Sequence, residues 1–91
     1  MNKVEAIRLT ACMCEDGVFK FSVVKGIFVE LLRHERAHIR YVAAESIWQC
    51  LSDENIKANS DLKENMENAL NQETHPEVKA VLQHVLDIIL Y

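Results

Sequence analysis

Two glycines and one proline in 91 residues are too few for a loop-rich or sheet-rich chain. The three cysteines, Cys12, Cys14 and Cys50, are odd in number and sit at helical apolar positions. They exclude a disulfide scaffold and are expected as reduced thiols of a cytoplasmic protein. No run approaches the roughly 18 apolar residues of a membrane span. The opening Met1-Asn2-Lys3-Val4-Glu5 has charged and polar residues where a secretory leader has a continuous apolar stretch. Positive charge is also short, with 10 lysines and arginines against 14 acids and a net charge of −4. That balance argues against binding nucleic acid by neutralising phosphates and suits a basic protein partner. A glycine-rich phosphate loop is absent, and neither Ser22 nor Ser46 has a histidine that the sequence places beside it. No cofactor is therefore expected.

What remains is rich in helix formers, with a hydrophobic fraction of 49%, enough for one all-α domain over residues 1–91. Val4, Ile7, Ala11 and Cys14 recur at helical spacing over 3–14. Gly17 supplies the break that follows. A second helix, 20–33, carries Val23, Val24, Ile27, Phe28, Leu31 and Leu32. A stripe that wide predicts cover on more than one side, and Gly26 within it predicts a close helix contact. A third helix, 37–51, turns Ile39, Val42, Ala43, Ser46, Ile47 and Cys50 inward. Residues 56–59 read as loop or a short turn. Ser60 is the expected N-cap of a fourth helix, 61–72, whose narrow stripe is Leu62, Met66, Ala69 and Leu70. Pro76 opens a fifth helix that runs to the chain end. The pattern predicts five helices.

The stripes repeat. An offset of 39 residues carries Ile39 onto Val78, Arg40 onto Lys79, Ile47 onto Leu86 and Leu51 onto Leu90. The same offset carries Val23 onto Leu62, Ile27 onto Met66 and Leu31 onto Leu70. At 38 residues the first helix joins as a partial copy, with Leu9 on Ile47 and Cys12 on Cys50. The chain thus parses as an orphan helix, 3–14, and two outer-plus-inner pairs, 20–51 and 53–90. Ile39-Arg40-x-x-Ala43-Ala44-x-x-Ile47, followed by Pro76-x-Val78-Lys79, resembles the HEAT-repeat family, whose inner helix reads Val-Arg-x-x-Ala-Ala-x-x-Leu. The chain departs from that pattern at His34, where the family has a turn aspartate, and at Trp48, where a small residue is common. The resemblance implies an α-α superhelix or compact bundle of about two and a half repeats. It also implies a non-catalytic protein-interaction module whose inner helices meet the partner.

A competing motif overlaps the third helix. His34-Glu35-x-x-His38 spells the zinc-hydrolase pattern, in which two histidines one helical turn apart hold the metal and the glutamate acts as base. The repeat register places His34 to Ala37 on a turn instead. Arg36 sets a cation beside the supposed zinc, with Arg33 and Arg40 near it, and neither Glu64 nor His75 stands at a persuasive spacing for a third ligand. No metal site is expected, and the miniature zinc hydrolase is the lesser reading.

The outward stripe of the third helix is Tyr41, Glu45 and Trp48. The 39-residue offset adds Ala80, His84 and Asp87, with Tyr91 one turn on. These form a candidate ridge of aromatic and acidic groups for a basic partner. Trp48 has a second reading, as core packed against the first helix. Residues 53–73 hold six acids and two lysines, together with Asn55, Asn59, Asn65, Asn68 and Asn71; they read as a solvated face or a second docking surface. The most specific form of the expectation is a small acidic inhibitor that occludes a basic nuclease, as toxin-immunity proteins do. The apolar finish Ile88-Ile89-Leu90-Tyr91 favours an alternative, a self-associating structural or adaptor protein. A DNA-binding helical repeat ranks lowest, because the ridge offers no basic face.

Overall fold

The computed structural model describes residues 1–90. Among them are six helices and no strand: α1 (Lys3–Glu15), α2 (Phe21–Leu31), α3 (Ala37–Gln49), α4 (Asp53–Ala58), α5 (Leu62–Gln72) and α6 (Pro76–Ile89). None is long and apolar enough to cross a membrane.

The ends of the helices follow from their sequences. Asn2 caps α1, its side-chain oxygen accepting from the Glu5 N–H at 2.8 Å. At the other end Gly17 takes a left-handed φ of +85°. There the Gly17 N–H donates to the Cys14 carbonyl at 3.0 Å and the Val18 N–H to the Met13 carbonyl at 2.8 Å, which is a Schellman closure. Pro76 occupies the first turn of α6 behind the His75 cap.

Five expected helices become six because Ser52 caps the segment after α3. Its hydroxyl accepts from the Asn55 N–H at 3.1 Å, and Asp53 and Glu54 suit the positive end of the new helix α4. The cap expected of Ser60 passes to Asp61, whose side chain makes no capping hydrogen bond.

The molecule measures 35 × 32 × 16 Å, a slab about two helices thick. α3 lies at its centre, packed on α1, α6 and α2, while α5 packs on α6. α1 and α3 run parallel: Arg8 bonds Glu45 and Cys12 bonds Gln49, each pair 37 residues apart. α6 runs parallel to α3 on its other side, since His38 lies near Glu77, and Trp48 near His84. The core gathers Ile7 and Ala11 from α1, Val24 and Phe28 from α2, and Val42, Ala43 and Ile47 from α3. Leu62 and Met66 of α5 and Val78, Leu82 and Val85 of α6 belong to the same cluster.

Two expectations for α2 fail together. Val23 and Ile27 are 69% and 57% exposed, because α2 packs chiefly on α3 and no described residue covers these two side chains. Gly26 shares that open side, and a Cβ built on it would meet nothing within 4 Å. The glycine therefore marks no close helix contact.

Candidate functional site: the groove between α3 and α6

Helical spacing places Tyr41, Glu45 and Trp48 on one face of α3, and Ala80 and His84 one turn apart on α6. Because the two helices are parallel and neighbouring, these residues meet. Together with Val81 they line a groove of about 260 Å³. Pockets for drug-sized ligands hold about 300–1,000 Å³, so this groove suits a side chain rather than a cofactor.

Each wall has a definite state. Tyr41 is half-buried, with its ring packed on the core. Trp48 keeps 46% of its surface exposed, so the core reading of this residue does not hold. Its ring lies 5.7 Å from that of His84, tilted by 55°, a contact that joins the two walls. The Glu45 carboxylate is not free: Arg8 of α1 donates to its Oε1 at 2.8 Å. Both side chains are substantially exposed, and such pairs are worth about 0–1 kcal/mol. At the other end Tyr41 also borders a second depression, with Ala37, His38, His75, Glu77 and Val78.

Of the seven ridge residues expected, the structure brings Tyr41, Glu45, Trp48, Ala80 and His84 together. Asp87 stands away from the groove and accepts a hydrogen bond from Gln83 at 3.0 Å. Tyr91 lies outside the described residues. The sequence reading missed Val81 and Arg8. The 38-residue register of α1 on α3 held the signal for Arg8, since it aligns Leu9 with Ile47 and so sets Arg8 level with Glu45's turn.

The His34–His38 segment is not one continuous helix. α3 begins at Ala37, so the two histidines do not share a helix. The Nδ1 of His34 accepts from the Arg36 N–H at 3.1 Å, which commits that nitrogen to the turn. Among the described residues no three His, Cys, Asp or Glu side chains converge to hold a metal ion.

The same turn contains the strongest polar cluster. Arg40 donates to both oxygens of Glu73, at 2.7 and 2.9 Å, and to the carbonyls of His34 and Glu35, at 2.8 and 3.0 Å. Glu73 also accepts from the backbone N–H groups of Thr74 and His75. Burial pushes its carboxyl up, but the Arg40 and backbone hydrogen bonds outweigh burial and hold it below the usual carboxylate range. The guanidinium is raised in turn by its bond to Glu73. This cluster is saturated by its own partners and serves the fold.

Comparison with protein families, with curated proteins and with solved structures finds no match for this chain.

Proposed function

We propose that the chain is a non-catalytic protein-interaction module of HEAT-like design, which holds a basic protein partner in the α3–α6 groove. The observation that carries this reading is Trp48, kept 46% exposed where it lines the groove with Tyr41 and His84. Exposed tryptophan and tyrosine in a concave site are characteristic of interface anchors. The net charge of −4 makes a basic partner the complementary one.

The repeat design is supported by two further features. The inner helices α1, α3 and α6 stack in parallel, with α2 and α5 packed on α3 and α6 respectively. Arg40 bonds the turn at His34 and also Glu73, the residue 39 positions later. It thus ties together equivalent points of the two pairs. Glu73 supplies the acid at the turn position that His34 leaves without one.

The test is affinity purification from the source cells with the wild type and with Ala80→Trp, which fills the groove from an exposed position. A basic protein retained by the wild type and lost by Ala80→Trp supports the module. Retention by both, or an acidic or nucleic-acid partner alone, overturns it. The narrower inhibitor reading adds one measurement, nuclease activity of the recovered partner with and without this chain.

Self-association is the second reading, favoured by the exposed Val18, Phe19, Val23 and Ile27 around the start of α2. Sedimentation of wild type against Val23→Lys/Ile27→Lys distinguishes it: a strict monomer at high concentration removes this reading.

A further inference from the structure

We infer that the α3–α6 groove accepts an arginine side chain of the partner, its guanidinium stacked on Trp48 and Tyr41 and paired with the Glu45 carboxylate. The inference rests on the reading of this groove as the partner-binding face, and specifies the chemistry that it selects.

The arrangement of the walls argues for a cation. Two electron-rich rings seven residues apart on α3 flank a carboxylate four residues from the first, all on one face. Ring faces carry negative potential and attract a cation, most strongly for tryptophan. An anion entering here would meet both the rings and Glu45. Size points to a single side chain, since the groove holds about 260 Å³.

The choice of arginine over lysine follows from the kind of surface. A guanidinium is flat and weakly hydrated, so it can stack and pair in the same pose, whereas an ammonium is a compact, strongly hydrated charge. The protein already shows that this carboxylate accepts a guanidinium. Arg8 reaches Glu45 from the α1 side with a single hydrogen bond to Oε1, and among the described residues no side chain or backbone group donates to Oε2. Arg8 is about half exposed, so water weakens the contact and a second guanidinium can share or replace it. Arg8 therefore acts as an internal competitor.

Trp48 is the sole tryptophan of the chain, which makes its fluorescence a direct reading of the groove. The probes are capped hexa-arginine and hexa-lysine peptides, titrated into wild type, Arg8→Ala, Glu45→Gln and Glu64→Gln. Arg8→Ala and Glu45→Gln break the same ion pair, so a purely structural role moves them in the same direction. Glu64→Gln removes one acid from α5, away from the groove, and controls for general attraction to an acidic protein. The expected result is saturable quenching by hexa-arginine, with hexa-lysine about tenfold weaker. Glu45→Gln should weaken binding about tenfold, Arg8→Ala should tighten it, and Glu64→Gln should leave it unchanged. Absence of saturable quenching, an equal response to hexa-lysine, or equal weakening by Glu45→Gln and Glu64→Gln would each overturn the inference. Should the natural partner be lost in Ala80→Trp while hexa-arginine gives no response, the arginine inference falls and the interaction module stands.

Discussion

Arg40 joins α3 to the residue that ends α5 through two hydrogen bonds to Glu73, and the same guanidinium holds the carbonyls of His34 and Glu35. Glu73 is almost wholly removed from water. Removing one partner of such a pair strands the other, which costs about 3–5 kcal/mol. Arg40→Ala is expected to destabilise the fold by about 3 kcal/mol, toward the lower end because Arg40 retains some solvent contact. Urea unfolding followed by circular dichroism measures it, and a change below about 1 kcal/mol would show that the turns hold without this bridge.

The same pair predicts the response to acid. Glu73 titrates lower in the folded chain than in the unfolded one. Its contribution is therefore present above the ordinary glutamate value of 4.5 and is lost as pH falls through the lower folded value. Wild type should lose more stability than Glu73→Gln between neutral pH and strong acid. Parallel loss in the two proteins would place acid sensitivity elsewhere.

The two glycines are expected to respond oppositely to alanine. At Gly17 the left-handed φ of +85° strains any side chain, so Gly17→Ala costs about 1 kcal/mol. Gly26 is helical, with open space where a Cβ would go, so Gly26→Ala stabilises by about 0.5–1 kcal/mol. Thermal unfolding of both variants reads the two signs directly.

That contrast shows where the sequence informs and where it does not. The stripes of α1 and α6 were legible because each buries one face, whereas α3, packed on α1, α2 and α6, buries Ala44 beside its expected stripe. The 39-residue offset named Tyr41, Trp48 and His84, which line one groove. The stripe of α2 was misleading. Val23 and Ile27 are as apolar as Val24 and Phe28, and periodicity cannot say whether a second neighbour exists to cover them. The helix α4 was missed because six residues are too few to display a period, although Ser52 offered a cap. The Arg8–Glu45 pair lay beyond reach for a related reason: ion pairs between helices depend on which helices adjoin, and only the partial register of α1 hinted at that. His34-Glu35-x-x-His38 teaches the converse, since a motif defined on a helix has no force where the backbone turns.

The thiols should separate by reactivity. Cys12 is exposed while Cys14 and Cys50 are buried. Burial, reinforced by a hydrogen bond with Cys14, pushes the Cys50 thiol up to about 12. A thiol reagent at neutral pH is expected to modify one cysteine quickly and the other two only on unfolding. The raised Cys50 value also sets an alkaline limit. Stability is full below its ordinary value of 9.0 and falls as pH climbs toward 12, a slope that Cys50→Ala should reduce.

Trp48 gives the prediction on which the functional reading turns. A tryptophan that anchors the core costs about 3–5 kcal/mol when truncated to alanine. Trp48 retains 46% of its exposure and contacts the opposite wall through His84 alone among aromatic partners of the described residues. Trp48→Ala should therefore change stability by less than about 1 kcal/mol, whereas Phe28→Ala, wholly buried, should cost about 3–5 kcal/mol. Partner binding should show the reverse order, because losing an interface anchor costs about 2 kcal/mol or more of affinity. Urea midpoints and partner titrations on the two variants separate the roles. If Trp48→Ala proved as destabilising as Phe28→Ala, the residue would belong to the core, and the groove would lose the anchor that distinguishes it from an ordinary seam between helices.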